Sequence, residues 1–163
     1  MSRGDHVPGL LWHSGTEPRP LVLVAPAVGS GKDAPEVEVL CRALVAAGLS
    51  AGAIDLPLQG ERTSTKLSAR LVACAAGGTL SAADRLLWQE YLRQVASDLD
   101  ATRAALGRHR AILPGVLGCA AFEPGAAAAR DWAKTTPGVR AYESLTSGRD
   151  ALGVAAALRE QLC

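Results

Sequence analysis

Residues 20–25, Pro-Leu-Val-Leu-Val-Ala, form a short run with no polar side chain. An unbroken apolar run of this length, rich in β-branched residues, reads as a strand buried on both faces. Gly29, Ser30 and Gly31 then mark a turn. Beyond it Val37, Leu40, Cys41, Leu44 and Val45 recur at i, i+3, i+4, i+7 and i+8, the one-sided stripe of an amphipathic helix. Asp33 and Pro35 suit the start of that helix, and Gly48 suits its C′ position. Residues 51–55 are a second apolar run that ends in Asp55. Together these make a βαβ unit, whose crossover is expected to be right-handed.

Residues 56–80 carry little periodicity and read as a long loop with one helical turn near 67–74. Ser81 is expected to cap a long helix, with Asp84 completing a capping box. Trp88, Tyr91, Leu92, Val95 and Leu99 form its buried face, Leu106 closes it and Gly107 ends it. A third strand begins in 110–117. An Ala-rich helix over 126–134, a strand over 138–145 and a final helix over 150–162 follow. An earlier strand at 10–13 is expected to pair antiparallel at the sheet edge. The alternation predicts a single α/β domain over 1–163: three layers, with a mainly parallel sheet between helices on both faces.

Composition narrows the function classes. With 163 residues the chain can build one core but hardly two. Hydrophobic residues make up 48% and charged residues 20%, which excludes a disordered chain. A net charge of +1 and an aromatic content of 4% offer no polyanion footprint and no base-stacking platform. The expectation is therefore no nucleic acid and no membrane partner, since no apolar run reaches a bilayer-spanning length. The N-terminus lacks a long apolar signal segment, so a cytoplasmic setting with reduced thiols is expected. Cys41, Cys74, Cys119 and Cys163 form no CxxC pair, so no metal and no cofactor is expected.

Residues 27–33, Ala-Val-Gly-Ser-Gly-Lys-Asp, sit between a buried strand and a helix, the setting of a phosphate-binding loop. That loop needs G-x-x-x-x-G-K-[ST], and here Pro26 holds the first Gly position and Asp33 the hydroxyl position. Pro lacks an N–H, and Asp repels phosphate where a hydroxyl should hold Mg²⁺. A P-loop-like phosphate-binding protein is thus an alternative reading that departs from its own motif.

Residues 20–62 as a whole resemble the opening of an α/β-hydrolase of the esterase and dienelactone-hydrolase type. The matching features are the buried strand, the following loop and helix, and a strand ending in a D-x-P-x-x-G-x-R-like sequence, Asp55, Pro57, Gly60 and Arg62. Residues 94–106 are similar to the helix that precedes the nucleophile strand in that family. The resemblance runs over 10–145. It implies a partial α/β-hydrolase fold whose parent activity is carboxylic ester or acyl hydrolysis of a small ester-like ligand. It implies an oxyanion loop at Ala27 and Val28. It also implies further strands beyond those in this chain, and hence self-association through an uncovered sheet edge.

The family's nucleophile elbow, G-x-S-x-G, is expected within residues 111–122, AILPGVLGCAAF. The positions are Gly115, Val116, Leu117 and Gly118, with the serine missing. No Ser occurs from 98 to 143, and His6, His13 and His109 all precede this segment, whereas the triad runs nucleophile, acid, histidine. Two side chains stand as catalytic candidates. Cys119 is the thiol beside the elbow; the plainer role is a buried structural thiol. Asp150 resembles the acid-bearing loop; the plainer role is a carboxylate favoured at a helix N-terminus. Asp55 reads as a turn cap before Pro57, and Trp88 and Tyr91 read as core. The sequence therefore predicts a hydrolase-like chain without a working triad, with a non-catalytic binding or interaction domain as the alternative.

Overall fold

The first apolar run is buried on both sides, as its composition requires. Leu21, Leu23 and Ala25 face one half of the core, and Val22 and Val24 face the other. The computed structural model describes residues 6–146 and 150–163. Five strands form one sheet: β1 (Gly9–Trp12), β2 (Arg19–Ala25), β3 (Ser50–Ile54), β4 (Ile112–Phe122) and β5 (Val139–Leu145), in the order β1-β3-β2-β4-β5. All neighbours are parallel except β1, which runs antiparallel to β3 at the edge. The expected edge strand and the three-layer α/β architecture are both present.

Two helices, α1 (Pro35–Ala46) and α5 (Ala151–Leu162), cover one face of the sheet. The other face is covered by α2 (Thr65–Ala75), α3 (Ala82–Leu106) and α4 (Ala126–Thr135). The predicted stripe of α1 packs inward through Val37, Leu40, Cys41 and Leu44, while Val45 is only half-buried. Pro35 starts α1, but its N-cap is Ala34 with no side-chain cap, so Asp33 does not cap it. Gly48 adopts φ +90°, the left-handed conformation that ends a helix without a Cβ penalty.

In α3, Ser81 Oγ accepts from the Asp84 amide at 3.1 Å and donates to Asp84 Oδ2 at 2.6 Å. The capping pair is therefore local, with the carboxylate taking the hydroxyl. Tyr91, Val95 and Leu99 are buried, and Trp88 and Leu92 are half-buried against the same cluster.

Two expectations need correction. Residues 65–75 form a full helix rather than a single turn in a loop. Only Leu71 and Cys74 of α2 are buried, which is why its hydrophobic period is faint. The larger correction concerns β4, which continues to Phe122. Gly115, Val116, Leu117 and Gly118 lie inside this strand, and Leu117 and Gly118 pair with Leu21 and Val22. They are not a strand-to-helix turn.

Candidate functional site

At the C-terminal ends of β2 and β4 the chain turns twice, into α1 and into α4. The second turn is Glu123-Pro124-Gly125. Gly125 has φ +107° and precedes Ala126, the first residue of α4. A Cβ on Gly125 would lie 2.5 Å from Val28 Cγ2, so only glycine lets the two loops close on each other. This is a strand-turn-helix, the setting a nucleophile elbow requires, and the five positions across it, Ala121-Phe122-Glu123-Pro124-Gly125, do not read G-x-S-x-G. This turn lies five residues beyond Gly118, and Glu123 stands at its start. Its carboxylate reaches back to the Ala126 amide at 3.3 Å.

Sequence reading missed these residues. The signal was the Pro-Gly pair directly before an Ala-rich helix, a strong turn marker.

An oxyanion hole on such a site takes one N–H from the residue after the nucleophile and one from the loop after the neighbouring strand. The residue after Glu123 is Pro124, which has no N–H. In the loop after β2 the Val28 N–H donates to the Pro124 carbonyl oxygen at 2.8 Å. Ala27 and Val28 lie in the loop following β2, where the resemblance puts them. Gln59 bonds across this loop when its amide is oriented by its partners: Nε2 donates to the carbonyls of Ala27 at 2.9 Å and Ser30 at 3.0 Å, and Oε1 accepts from the Tyr91 hydroxyl at 3.1 Å. Burial pushes the Tyr91 phenol up, so it remains a donor.

The D-x-P-x-x-G-x-R residues form an ion-pair knot beneath the loop. Asp55 is fully buried. Its carboxylate accepts from the Lys32 amide and ammonium, each at 2.9 Å, and from the Glu61 amide at 3.0 Å. Burial alone would raise the Asp55 pKa, but the bonds from Lys32 and Glu61 outweigh it and hold the carboxyl below its usual range. Lys32, 7% exposed, also donates to Glu61 at 2.6 Å. The Glu61 and Asp55 carboxylates raise its pKa to about 12. Arg62 donates to the Asp55 carbonyl at 3.1 Å and to the Asp98 carboxylate at 2.5 Å, linking the knot to α3. Asp98 was not anticipated, although it falls three residues after Val95 on the buried face.

This arrangement also bears on the phosphate-loop alternative. Both hydrogen-bonding ends of Lys32, amide and ammonium, are held by carboxylates. The Ser30 and Ala34 amides donate to the Ala27 and Gly31 carbonyls. The loop turns its N–H groups and its cation on itself rather than toward a common point outside.

The two catalytic candidates lie elsewhere. Cys119 is fully buried in the middle of β4, and burial pushes its thiol up to about 12. Asp150 caps α5, accepting from the Leu152 amide at 2.9 Å. Of the Thr-Ser-Gly-Arg-Asp stretch before it, residues 147–149 fall outside the described residues. The rings of His13 and His109 lie 5.9 Å apart, just after β1 and just before β4, at the end of the sheet opposite the elbow. His6 precedes β1, which is three strand positions from β4, roughly 14 Å at the usual inter-strand spacing. No histidine among the described residues reaches Glu123. No group of three or more potential metal ligands occurs among the described residues, and no described helix is long and apolar enough to cross a membrane.

No protein-family profile and no curated protein sequence matches the chain. Solved structures do. A cold-adapted esterase from an Arctic intertidal metagenomic library is 23% identical with a TM-score of 0.65, over 87% of this chain and 56% of the esterase. A protein assigned as a dienelactone hydrolase from Klebsiella pneumoniae is 21% identical with a TM-score of 0.60, over 91% of this chain and 59% of that one. A protein assigned as an acetyl xylan esterase from Bacteroides fragilis is 16% identical with a TM-score of 0.59, over 82% of this chain and 39% of that one. At these identities the likeness establishes the fold. The chain has an α/β-hydrolase-like fold, and it spans little more than half the length of the first two structures it matches.

Proposed function

We propose that this chain is a non-catalytic binding or interaction domain built on the ester-hydrolase fold. The observation that carries the reading is the Val28 N–H donated to the Pro124 carbonyl oxygen at 2.8 Å. Ester hydrolysis passes through a tetrahedral oxyanion, and its stabilisation by preorganised N–H donors is usually the largest catalytic contribution. Here one donor position is a proline and the other donor is already bonded. The parent activity is carboxylic ester or acyl hydrolysis, on the strength of the fold. In this reading a glutamate stands where the nucleophile would, and it supplies neither a hydroxyl nor a thiol. In this reading the elbow has become a structural clasp between the loops after β2 and β4. The β5 end of the sheet remains a candidate face for self-association.

The test is pre-steady-state hydrolysis of p-nitrophenyl acetate by the purified chain, together with amide hydrogen exchange at Val28. The reading expects no burst, no saturable turnover and a protected Val28 amide. A burst stoichiometric with protein, or a Val28 amide that exchanges as freely as an open loop, overturns it.

A further inference from the structure

The N-terminal half of β4 does not follow the sheet. Ile112 pairs with Arg19 and Leu117 with Leu21, so five steps on β4 match two on β2. The surplus, centred on Leu113, Pro114 and Gly115, bulges out of the ladder, with Gly115 at φ +76°. Leu113 is left 38% exposed, and Pro114 and Gly115 are also exposed. Bulges re-aim side chains and concentrate beside functional sites.

This bulge forms one wall of a cleft of about 390 Å³. The last turn of α3 and the Pro137–Gly138 turn before β5 form the others. The floor is aliphatic, through Ile112, Val116 and Leu117. The rim carries two guanidinium groups, Arg103 and Arg108. Arg103 Nε is shielded from solvent without a hydrogen-bond partner. It is ion-paired with Asp100 at 3.6 Å, without a hydrogen bond. Arg108 makes no side-chain hydrogen bond or ion pair among the described residues. The C-terminal dipole of α3 would oppose an anion here. However, the carbonyls of Arg103, Ala105 and Leu106 already accept from the amides of Gly107, Arg108 and His109.

An apolar cleft lined by two arginines, Arg108 and an Arg103 whose Nε lacks a hydrogen-bond partner, matches a ligand with a short apolar body and a carboxylate head. We propose that this cleft, at the end of the sheet opposite the elbow, binds a small amphipathic carboxylate of the medium-chain acyl or aryl class. The apolar body lies on Val116 and Leu117, and the carboxylate sits between Arg103 and Arg108. Arg103 is linked through Asp100 to Trp132, whose indole N–H donates to the same carboxylate at 3.1 Å. Occupancy therefore has a built-in reporter.

The experiment titrates the ¹⁵N-labelled chain with octanoate, 1-octanol and octyltrimethylammonium, and follows the amides of residues 113–117 and 138 and the Trp132 indole. Octanoate is expected to saturate and to shift these signals, octanol to bind more weakly, and the ammonium not to bind. Arg103→Gln and Arg108→Gln together should weaken octanoate by roughly tenfold or more. Both residues are at the surface, so folding should survive, and thermal unfolding of the variant checks this. Leu113→Asp is the second variant and should abolish binding from the apolar side. No saturation by octanoate, equal affinity for octanol, shifts centred elsewhere, or indifference to the arginine pair would each overturn the proposal.

Discussion

The Val28 amide and the Pro124 carbonyl oxygen lie 2.8 Å apart, joining the loop after β2 to the turn after β4. Glu123 stands immediately before this contact. Restoring a nucleophile there should therefore not restore chemistry. Glu123→Ser is expected to remain inactive toward p-nitrophenyl acetate, and Glu123→Ser with Pro124→Gly is expected to remain within about an order of magnitude of background, since no described histidine lies beside the new hydroxyl. Stopped-flow release of p-nitrophenolate measures both. A clear burst in the single variant would mean that the oxyanion is stabilised by other groups.

Thiol reactivity offers a second check. Burial pushes Cys119 and Cys41 up to about 12, and Cys163 is exposed. At pH 8 the two buried thiols are almost wholly protonated, and it is the thiolate that reacts. Iodoacetamide is expected to modify Cys163 first and to reach Cys119 only on unfolding. Peptide mass spectrometry of native and urea-treated protein reads the order.

The Lys32–Asp55 pair should appear in the pH dependence of stability. The Asp55 carboxyl is held below the usual aspartate range, so its contribution is complete above that range and disappears as pH falls through the folded pKa. The Lys32 ammonium is raised from 10.5 to about 12, so its contribution is complete below 10.5 and disappears as pH rises through 12. Asp55→Asn should destabilise by about 3 kcal/mol at neutral pH, because it strips a buried cation of one of its two carboxylate partners. The gap between wild type and Asp55→Asn should narrow below about pH 4. Urea unfolding from pH 3 to 8, with these set points chosen around the approximate carboxylate range, provides the comparison.

Two glycines should respond very differently to alanine. A Cβ on Gly60 would collide with the Asp55 carboxylate, in a backbone at φ +53°. Gly60→Ala should cost about 3 kcal/mol through strain and disruption of the knot. A Cβ on Gly52 would meet Leu23 and Leu21 at ordinary contact distance and the Leu106 Cδ1 methyl at 2.8 Å. That side chain can move, so Gly52→Ala should cost about 1 kcal/mol. Equal losses in denaturant titrations would show that the knot does not dominate local stability.

Much of this was legible in the sequence, and the failures have physical causes. The run at 20–25 and the stripe at 37–44 could be read because burial on both sides, or on one, leaves a clean periodic signature. The elbow was misread because Gly118 looks like a turn residue. In the fold it is small for another reason: a Cβ there would lie 2.9 Å from Leu162 Cδ1, so the glycine admits α5 to the sheet. Packing and turning select the same residue type, and local sequence does not separate them. The Arg62–Asp98 pair joins residues 36 apart in the chain, and no local pattern announces such a partner. The Asp55, Gly60 and Arg62 spacing was visible as a motif, but its reason, a carboxylate filling the space beside Gly60, required three dimensions.

The helices α1 and α4 leave the neighbouring strands β2 and β4 on opposite faces of the sheet. In open α/β sheets that divergence splits the chain into a crevice, and ligands settle there. In this molecule the crevice has an occupant drawn from its own backbone. The Val28 side chain rests on Gly125 while its amide holds Pro124, so the two loops close the crevice against each other. Any small molecule seeking that crevice must compete with a tethered group at very high effective concentration.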